Sequence, residues 1–564
     1  MNIESFIWGI CDDVLRGLFK QHEYGDVILP FLVLRRLDCV QEETKDDVVN
    51  LYREFKDKFE DPSEIIHTKL KINFSNFSQY DLKRLINEPN KISENLYEYL
   101  RSFSPNVQDI IQNFGLQKHI EKLEENEILF IFIKKFTEVD LHPSKVDNHL
   151  MGNIFEELLR KFSEMSNETS GEHYTPRDIV NLLVSLVFIS EKENLSRPNK
   201  IVSLYDPCCG TGGMLTVGKK WIKENISKDV EINMFGQELN PQTYSICKSD
   251  FLITNEQPES IKIGSTLSKD GFSNTERKFD YMICNPPYGI SWRKDEKFVK
   301  NESLHSNGRF SAGTPTVADG QLLFLQHMIS KMDKNGSRIG VVFNGSPMFT
   351  GDAGRGESEI RKWIIESDLL ETIVQLPDRM FFNTEITTYL WIVTNKKEKR
   401  RLGKIQLIDA SSFFKLMRKN LGKKGKEISS ENADDILNIY RKFEESEICQ
   451  IFENQKFGYT RIQVEQPLVL NSKIQTLKNG KIKPDAKLRD YERIPLGDSI
   501  NDYYEKEVKP FLTESWMDRT KDKIGYEINF RKGFYKYQPI RKTDEILSEL
   551  ENLNVVINEK IKKL

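Results

Sequence analysis

Near the start of the chain apolar residues recur every fourth position, at Phe6, Ile10, Val14 and Leu18, which is the spacing of one helical face. Asp26 then stands where a cap would open the run "VILPFLVLRRL". Residues 1 to about 145 therefore read as a helical domain. From about residue 200 the pattern changes to short β-rich runs: "IVSLYD", "EINMFGQEL", "IKIGSTL", "KFDYMICN", "RIGVVFN", "ETIVQLP" and "TTYLWIVTN", with helical stretches between them. Strands alternating with helices predict an α/β fold, a mostly parallel sheet covered on both faces. Ligands of such sheets sit at the carboxyl ends of the strands. The last segment, Thr543 to Leu564, carries Ile546, Leu550, Leu553, Ile557, Ile561 and Leu564 at spacings of three and four. It predicts a helix with one apolar seam, suited to packing on another helix.

Composition narrows the class. Over 564 residues the chain is 38% hydrophobic and 30% charged, a globular and not a disordered balance. A net charge of -4 gives no global nucleic-acid signature, so any polyanion has to be held by local basic patches or by a partner chain. Two such patches follow Asn395, "KKEKRRLGK" and "RKNLGKKGKE". Either can be a solvated loop or a phosphate contact. The N-terminus lacks the charged and apolar regions of a signal peptide, and no run approaches the ~20 apolar residues of a membrane span. The seven cysteines are scattered without a CxxC pair, which predicts a reducing cytoplasm and no metal site. Adjacent Cys208 and Cys209 read as small space-fillers in a turn.

Two motifs carry chemistry. The first strand runs into "DPCCGTGGML", Asp206 to Leu215, where Gly210, Gly212 and Gly213 allow a sharp turn and close approach to a ligand, ahead of a helix N-terminus. Neither a GxGxxG nor a P-loop spacing is present. The second strand ends at Glu238, a carboxylate placed to accept both hydroxyls of a ribose. Together they predict a nucleoside pocket. The run "FDYMICNPPYGI" then delivers Asn285 to the same end of the sheet. Pro286 and Pro287 offer carbonyls without backbone donors, and Tyr288 supplies a flat face on which an extruded base could stack. An amide oxygen and a proline carbonyl can receive both hydrogens of one NH2 group. Accepting them localises the nitrogen lone pair and stabilises the charge that develops on methylation of an exocyclic amine.

These motifs resemble S-adenosylmethionine-dependent DNA adenine-N6 methyltransferases, and more closely the modification (M) subunit of type I restriction-modification systems. The resemblance covers nearly the whole chain. It rests on the helical N-terminal domain, "GEHYTPRDIV", "DPCCGTGGML", "QELN", "NPPYG", "GQLLFLQHMI", "RGESEIRKWI" and "KIGYEINFRKGFYKYQP". It implies a seven-stranded Rossmann-like methyltransferase sheet with its last strand antiparallel, in a domain of about 146 to 475, between helical domain 1 to 145 and a helical assembly tail from 476 to 564. By the resemblance, Glu172, His173, Tyr174, Thr175, Pro176 and Arg177 lie against the methionine part of the cofactor. Asp206, Gly210, Thr211 and Gly212 line it from the glycine turn, and Glu238 binds its ribose. Asn285, Pro286, Pro287 and Tyr288 hold an adenine flipped from double-stranded DNA. Ser265 departs from the pattern, because an acidic or amide residue often follows that glycine in relatives.

The implied partners are a specificity (S) subunit, with two M chains to each, and a restriction (R) subunit. No base-reading insert stands out, and the polar stretch Ser291 to Gly320 is suited to closing over a substrate. A solitary adenine methyltransferase, a protein-glutamine methyltransferase and a silent cofactor-binding scaffold are the rival readings. The two helical additions and the intact Asn285 and Tyr288 argue against the last two.

Overall fold

The computed structural model describes residues 3–165, 175–273, 277–471, 473–535 and 543–561. Residues Met1–Ile528 make one compact unit and Asn529–Leu564 a second.

Most of the N-terminal helices share one apolar core, in which Phe31 of helix Tyr24–Gln41 meets Phe132 edge-on at 4.9 Å, while helices Lys45–Phe55 and Ser63–Leu70 pack on each other in a smaller one. Asp26 lies inside the first turn of this helix, and Glu23 occupies the cap position. The arginines that end the apolar run "VILPFLVLRRL" are buried and serve as struts. Arg35 Nε donates to the Val139 carbonyl at 2.8 Å, and Arg36 donates to the Val146 carbonyl at 2.7 Å and to Asn148 Oδ1 at 2.6 Å. A guanidinium is costly to bury unless its donors are satisfied, so these bonds fix the chain where it leaves the helical region. Helix Pro241–Ile253 contributes Ile246 and Leu252 to the same core. Asp109 binds Lys248 Nζ and the Tyr244 hydroxyl of that helix, each at 2.7 Å. The helical region is thus fastened to the sheet domain.

All seven sequence-predicted strands form: β1 (Ile201–Asp206), β2 (Glu231–Glu238), β3 (Ile261–Ile263), β4 (Tyr281–Cys284), β5 (Arg338–Asn344), β6 (Leu370–Gln375) and β7 (Thr388–Thr394). β7 is antiparallel to both neighbours, as expected. Two more strands, β8 (Lys404–Asp409) and Cys449–Glu453, widen the sheet to nine. The order is Cys449–Glu453, β8, β6, β7, β5, β4, β1, β2, β3. β8 pairs parallel with β6, so its carboxyl end lies on the same edge as those of β1, β4 and β5.

A helical tail from residue 476 was the expectation, and the structure differs. Strand Gly458–Glu465 centres a separate antiparallel sheet with Asp490–Pro495, Trp516–Met517 and Lys523–Tyr526. This sheet docks on helix Gly356–Glu366, where buried Arg361 Nε donates to the Tyr526 carbonyl at 2.6 Å and Ser358 Oγ accepts the Tyr526 amide at 3.0 Å. Its strands are short and charged on their outer faces, which hid them. The helix expected at the end is Thr543–Ile561. Ile546, Leu550, Leu553 and Ile557 are exposed along its seam, while Leu564 falls outside the described residues.

One buried ion pair spans the sheet. Arg338 on β5 meets Glu371 on β6 at 2.8 Å, with side chains 3% and 0% exposed. Tyr440 Oη accepts from Arg338 at 2.8 Å and donates to Glu371 at 2.6 Å. Burial opposes charge on Glu371, but the Arg338 guanidinium outweighs it and holds the carboxyl down at about 2. That stability is present above the ordinary carboxylate pKa and is lost as pH falls toward 2. Glu371→Ala, which strands a buried guanidinium, is expected to cost about 3–5 kcal/mol in urea unfolding. The double variant Arg338→Met, Glu371→Leu is expected to cost much less.

Candidate active site

Two parallel registers bring distant motifs together. β1 sets Asp206 beside Gly236 of β2 and Tyr205 beside Met282 of β4. The glycine turn, Glu238 and Asn285 therefore leave the sheet at one edge, around a cavity of about 360 Å³. That is the size of sites that take cofactor-sized ligands.

The turn is held from behind. Gly210 and Gly212 have φ of 55° and 83°, a region that favours glycine. A Cβ on Gly212 would meet Cys247 Sγ at 2.8 Å, whereas one on Gly210 would meet nothing within 4 Å. Gly210, Thr211 and Gly213 line the cavity. Gly212 is not among the lining residues; it lies against helix Pro241–Ile253, where its missing Cβ lets the turn close. Glu238 Oε2 accepts the Gly210 amide and Oε1 the Asn240 amide, each at 2.8 Å. Burial raises its pKa against the pull of these amides. Asp206, 1% exposed, accepts the Cys208 amide at 3.0 Å. Burial, helped by nearby Glu238, pushes its carboxyl up to about 7.

Asn285 and Pro287 line the cavity. Asn285 Nδ2 donates to Thr175 Oγ1 at 2.8 Å. With the amide nitrogen committed to Thr175, the acceptor role falls to Oδ1. Pro286 and Tyr288 stand behind the lining residues, and Tyr288 is 4% exposed. Its ring is packed into the protein and does not form the open stacking platform that the sequence suggested. Burial raises its hydroxyl pKa.

Of the segment Glu172 to Arg177, the residues Glu172, His173 and Tyr174 lie outside the described residues. Thr175 and Arg177 reach the cavity, and Pro176 caps helix Arg177–Phe188. Arg177 pairs with Glu156 at 2.8 Å. Glu156, a cavity residue on helix Asn148–Met165, carried no motif signal because the chain distance to the glycine turn is large. The cysteines form a cluster that spacing did not reveal. Cys208 and Cys284 touch, Sγ to Sγ, at 3.1 Å, and Asp206 lies within 4.8 Å of both. The thiol pairing and burial push the Cys208 pKa well up, and burial raises Cys284 to about 11, so both pack as neutral thiols.

The stretch Ser291 to Gly320 is built into the fold. It carries helix Glu296–Ser303 and a small core of Trp292, Val299 and Phe310 against Leu267, Leu323 and Phe324. Arg309 donates to the Thr266 and Leu267 carbonyls at 2.8 Å and pairs with Glu302 at 2.7 Å, clamping the stretch to the end of β3. Arg309 also donates to Nδ1 of His327 at 3.0 Å. Burial and the cation lower the His327 pKa to about 3, so the ring is neutral. The two basic stretches part ways. In the first, Lys397 pairs with Asp368 at 2.6 Å and Arg401 is buried. The second forms an antiparallel hairpin, Lys415–Leu421 with Lys424–Glu427, whose Arg418, Lys419 and Lys423 are exposed. It follows the carboxyl end of β8, and Lys424 Nζ anchors it to Asp178 at 2.9 Å.

A nucleoside-sized cavity beside an Asn-Pro-Pro-Tyr edge on this sheet defines an α/β amino-methyltransferase. A family model for the N-6 DNA methylase matches residues 146–459, and one for the HsdM N-terminal domain matches residues 3–136. The chain belongs to the N-6 DNA methylase family and has the architecture of its type I restriction-modification methylase subunits. It is 25% identical over 551 residues to the type I restriction enzyme MjaIX methylase subunit of Methanocaldococcus jannaschii, covering 92% of this chain and 90% of that one. It is 29% identical over 293 residues to the HindI methylase subunit of Haemophilus influenzae, covering 51% and 59%. In fold it is similar to the type I methyltransferase subunit from Streptococcus thermophilus, with TM-score 0.63 and 22% identity over 81% of this chain and 96% of that one. Among the described residues no helix is long and apolar enough to cross a membrane.

The raised Asp206 pKa carries a stability signature. A carboxyl that keeps its proton better folded than unfolded loses stability as pH rises from about 3.8 to about 7. Asp206→Asn is therefore expected to raise the Tm of the ligand-free protein at pH 8 by about 2–4 °C. The gain shrinks toward pH 5, which a pair of calorimetric scans can check.

Proposed function

We infer that the chain transfers the methyl of S-adenosylmethionine to N6 of an adenine flipped out of duplex DNA, as the modification subunit of a type I restriction-modification complex. The observation that carries this reading is the 2.8 Å bond from Asn285 Nδ2 to Thr175 Oγ1, which orients the catalytic amide at the edge of the cavity. The residues present fit the cofactor. Gly210 lines the cavity with nothing within 4 Å of where a Cβ would stand, and Glu238 presents acceptors suited to a ribose diol. When bound, the cofactor supplies an electrophilic methyl whose departure needs no acid.

The protein's own contribution is to hold the amine. Asn285 Oδ1 and a carbonyl of the adjoining proline pair accept its two hydrogens, which localises the nitrogen lone pair toward the methyl and stabilises positive charge as it develops. Thr175 keeps the amide from rotating. Buried Tyr288 packs behind this edge and supports it. Flipping costs a few kcal/mol, which contacts to the duplex offset. The exposed hairpin cations Arg418, Lys419 and Lys423 are placed for its phosphates. β8 and β4 are four strands apart, about 19 Å, well inside one turn of duplex at ~34 Å.

Site choice needs more than this pocket, because a pocket that takes one flipped base reads only that base. Two copies of the chain joined to one specificity subunit, with a restriction subunit able to join them, supply the missing selection. The exposed seam of helix Thr543–Ile561 is the contact we assign to that assembly.

Transfer of labelled methyl to duplex DNA, with and without the specificity subunit, tests the whole reading. Label on protein extract instead of DNA would overturn it. Asn285→Ala is expected to lose methylation by a factor of order 10² or more while still binding cofactor by calorimetry. Thr175→Val, which frees the amide to rotate, is expected to lower kcat. Replacing Arg418, Lys419 and Lys423 by alanine is expected to reduce the salt slope of DNA binding by roughly 0.9 for each phosphate no longer neutralised, up to about 2.7. Ending the chain at residue 542 is expected to weaken assembly more than cofactor binding, by gel filtration and calorimetry respectively.

A further inference from the structure

We propose that Asp295 is the residue that recognises the exocyclic amine of the cofactor's adenine, replacing from a neighbouring loop the acidic group that Ser265 lacks. This rests on the cofactor reading given above. The sheet edge lays out the cofactor's parts in strand order. β4 ends at the catalytic amide, β1 at the glycine turn, β2 at the ribose acceptor Glu238, and β3 at Gly264 and Ser265. The Gly264 amide donates to the Glu238 carbonyl at 2.9 Å, so the β3 end lies directly beyond the ribose site, on the side away from Asn285. A base attached to that ribose belongs there. Apolar Leu239 and Leu267, both lining the cavity at this end, suit the faces of a purine.

A purine with a 6-amino group needs an acceptor at its edge. Ser265 is short and its hydroxyl is already committed, because it donates to Asp295 Oδ1 at 2.9 Å. Ser268 Oγ donates to the same oxygen. Both hydroxyls thus fall on Oδ1, while Oδ2 makes no hydrogen bond among the described residues. Asp295 itself lines the cavity. It is also fixed along the chain. Its amide donates to the Trp292 carbonyl at 2.9 Å, and its carbonyl accepts the Val299 amide at 3.0 Å as helix Glu296–Ser303 begins. Trp292 is 4% exposed, and its indole nitrogen donates to the Thr316 carbonyl at 2.9 Å. The carboxylate is therefore held on a packed element, with two serines orienting one oxygen and the other available to the cavity. A carboxylate accepts and does not donate. It favours a 6-amino purine and opposes a 6-oxo purine, whose oxygen would face it.

The test compares S-adenosylhomocysteine with its 6-oxo counterpart, S-inosylhomocysteine, by titration calorimetry on the full chain. The native protein is expected to prefer the adenosyl ligand by about tenfold or more. Asp295→Ala is expected to lose most of that preference, mainly through weaker adenosyl binding. Asp295→Asn, which keeps the shape and the serine contacts but can turn a donor toward the base, is expected to level or reverse it. Matching thermal melts for both variants establish that they are folded. If the preference survives in both folded variants, Asp295 is not the reader and the proposal is overturned. If the native protein binds both ligands equally, it is overturned as well. If the native protein binds neither ligand, the cofactor reading itself fails, and this inference falls with it.

Discussion

The active site depends on the pairing of β1 with both of its neighbours. β1 alone carries the glycine turn, and its parallel registers with β2 and β4 decide which residues surround that turn. In a parallel pair a shift of one residue would turn every side chain to the other face. It would also move Glu238 away from the Gly210 amide that it accepts at 2.8 Å. Gly236 protects the register from the side. A Cβ there would meet Cys209 Sγ at 2.7 Å, and the Cys209 amide donates to the Gln237 carbonyl at 3.0 Å. The adjacent cysteines are thus the packing between the turn and its flanking strands, which is why small, neutral side chains stand there.

Around this frame the remaining contacts act as restraints on a few polar groups. Thr175 holds the Asn285 amide, and Arg177, two residues on, pairs with Glu156 from the helix that follows the N-terminal domain. The catalytic edge is therefore tied through one short segment to helix Asn148–Met165. Asp178, in the same helical turn as Arg177, holds the basic hairpin through Lys424 and through the Ile428 amide at 2.9 Å. Amide orientation, cofactor wall and hairpin anchor thus share four consecutive residues. Pieces of the site that are far apart in sequence acquire a common mechanical reference in this way, as preorganised polar groups require.

The elements that could be read from the chain are those whose signal is local. Each of the seven runs that became β1 to β7 is a continuous or alternating apolar stretch bounded by turn residues, and such patterns need no tertiary information. The glycine turn and the Asn-Pro-Pro-Tyr edge were legible because backbone freedom and lost donors belong to residue type. What stayed hidden depends on partners brought from afar. Strands Asp490–Pro495 and Lys523–Tyr526 are half polar and take meaning only against Gly458–Glu465 and Arg361. Charge alone could not separate the stretch that contains buried Arg401 from the exposed hairpin, since the difference lies in what each packs on. Tyr288 was read as a platform from its chemistry, and only its surroundings show that it is packed away.

The same distinction explains how the site tolerates a serine at the end of β3. A strand end positions a side chain rigidly, so an acid there is ready to meet a base without help. A loop carboxylate has more conformations to lose, about 1–2 kcal/mol of backbone entropy for each residue fixed, unless the loop is already ordered for other reasons. The stretch Ser291 to Gly320 meets that condition. Its core of Trp292, Val299 and Phe310 and its Arg309 clamp to the Thr266 and Leu267 carbonyls order it without any ligand. Ser265 and Ser268 serve there as hydrogen-bond donors that aim the carboxylate of Asp295. Asp295 lies thirty residues along the chain from Ser265 and stands beside the same strand end in space.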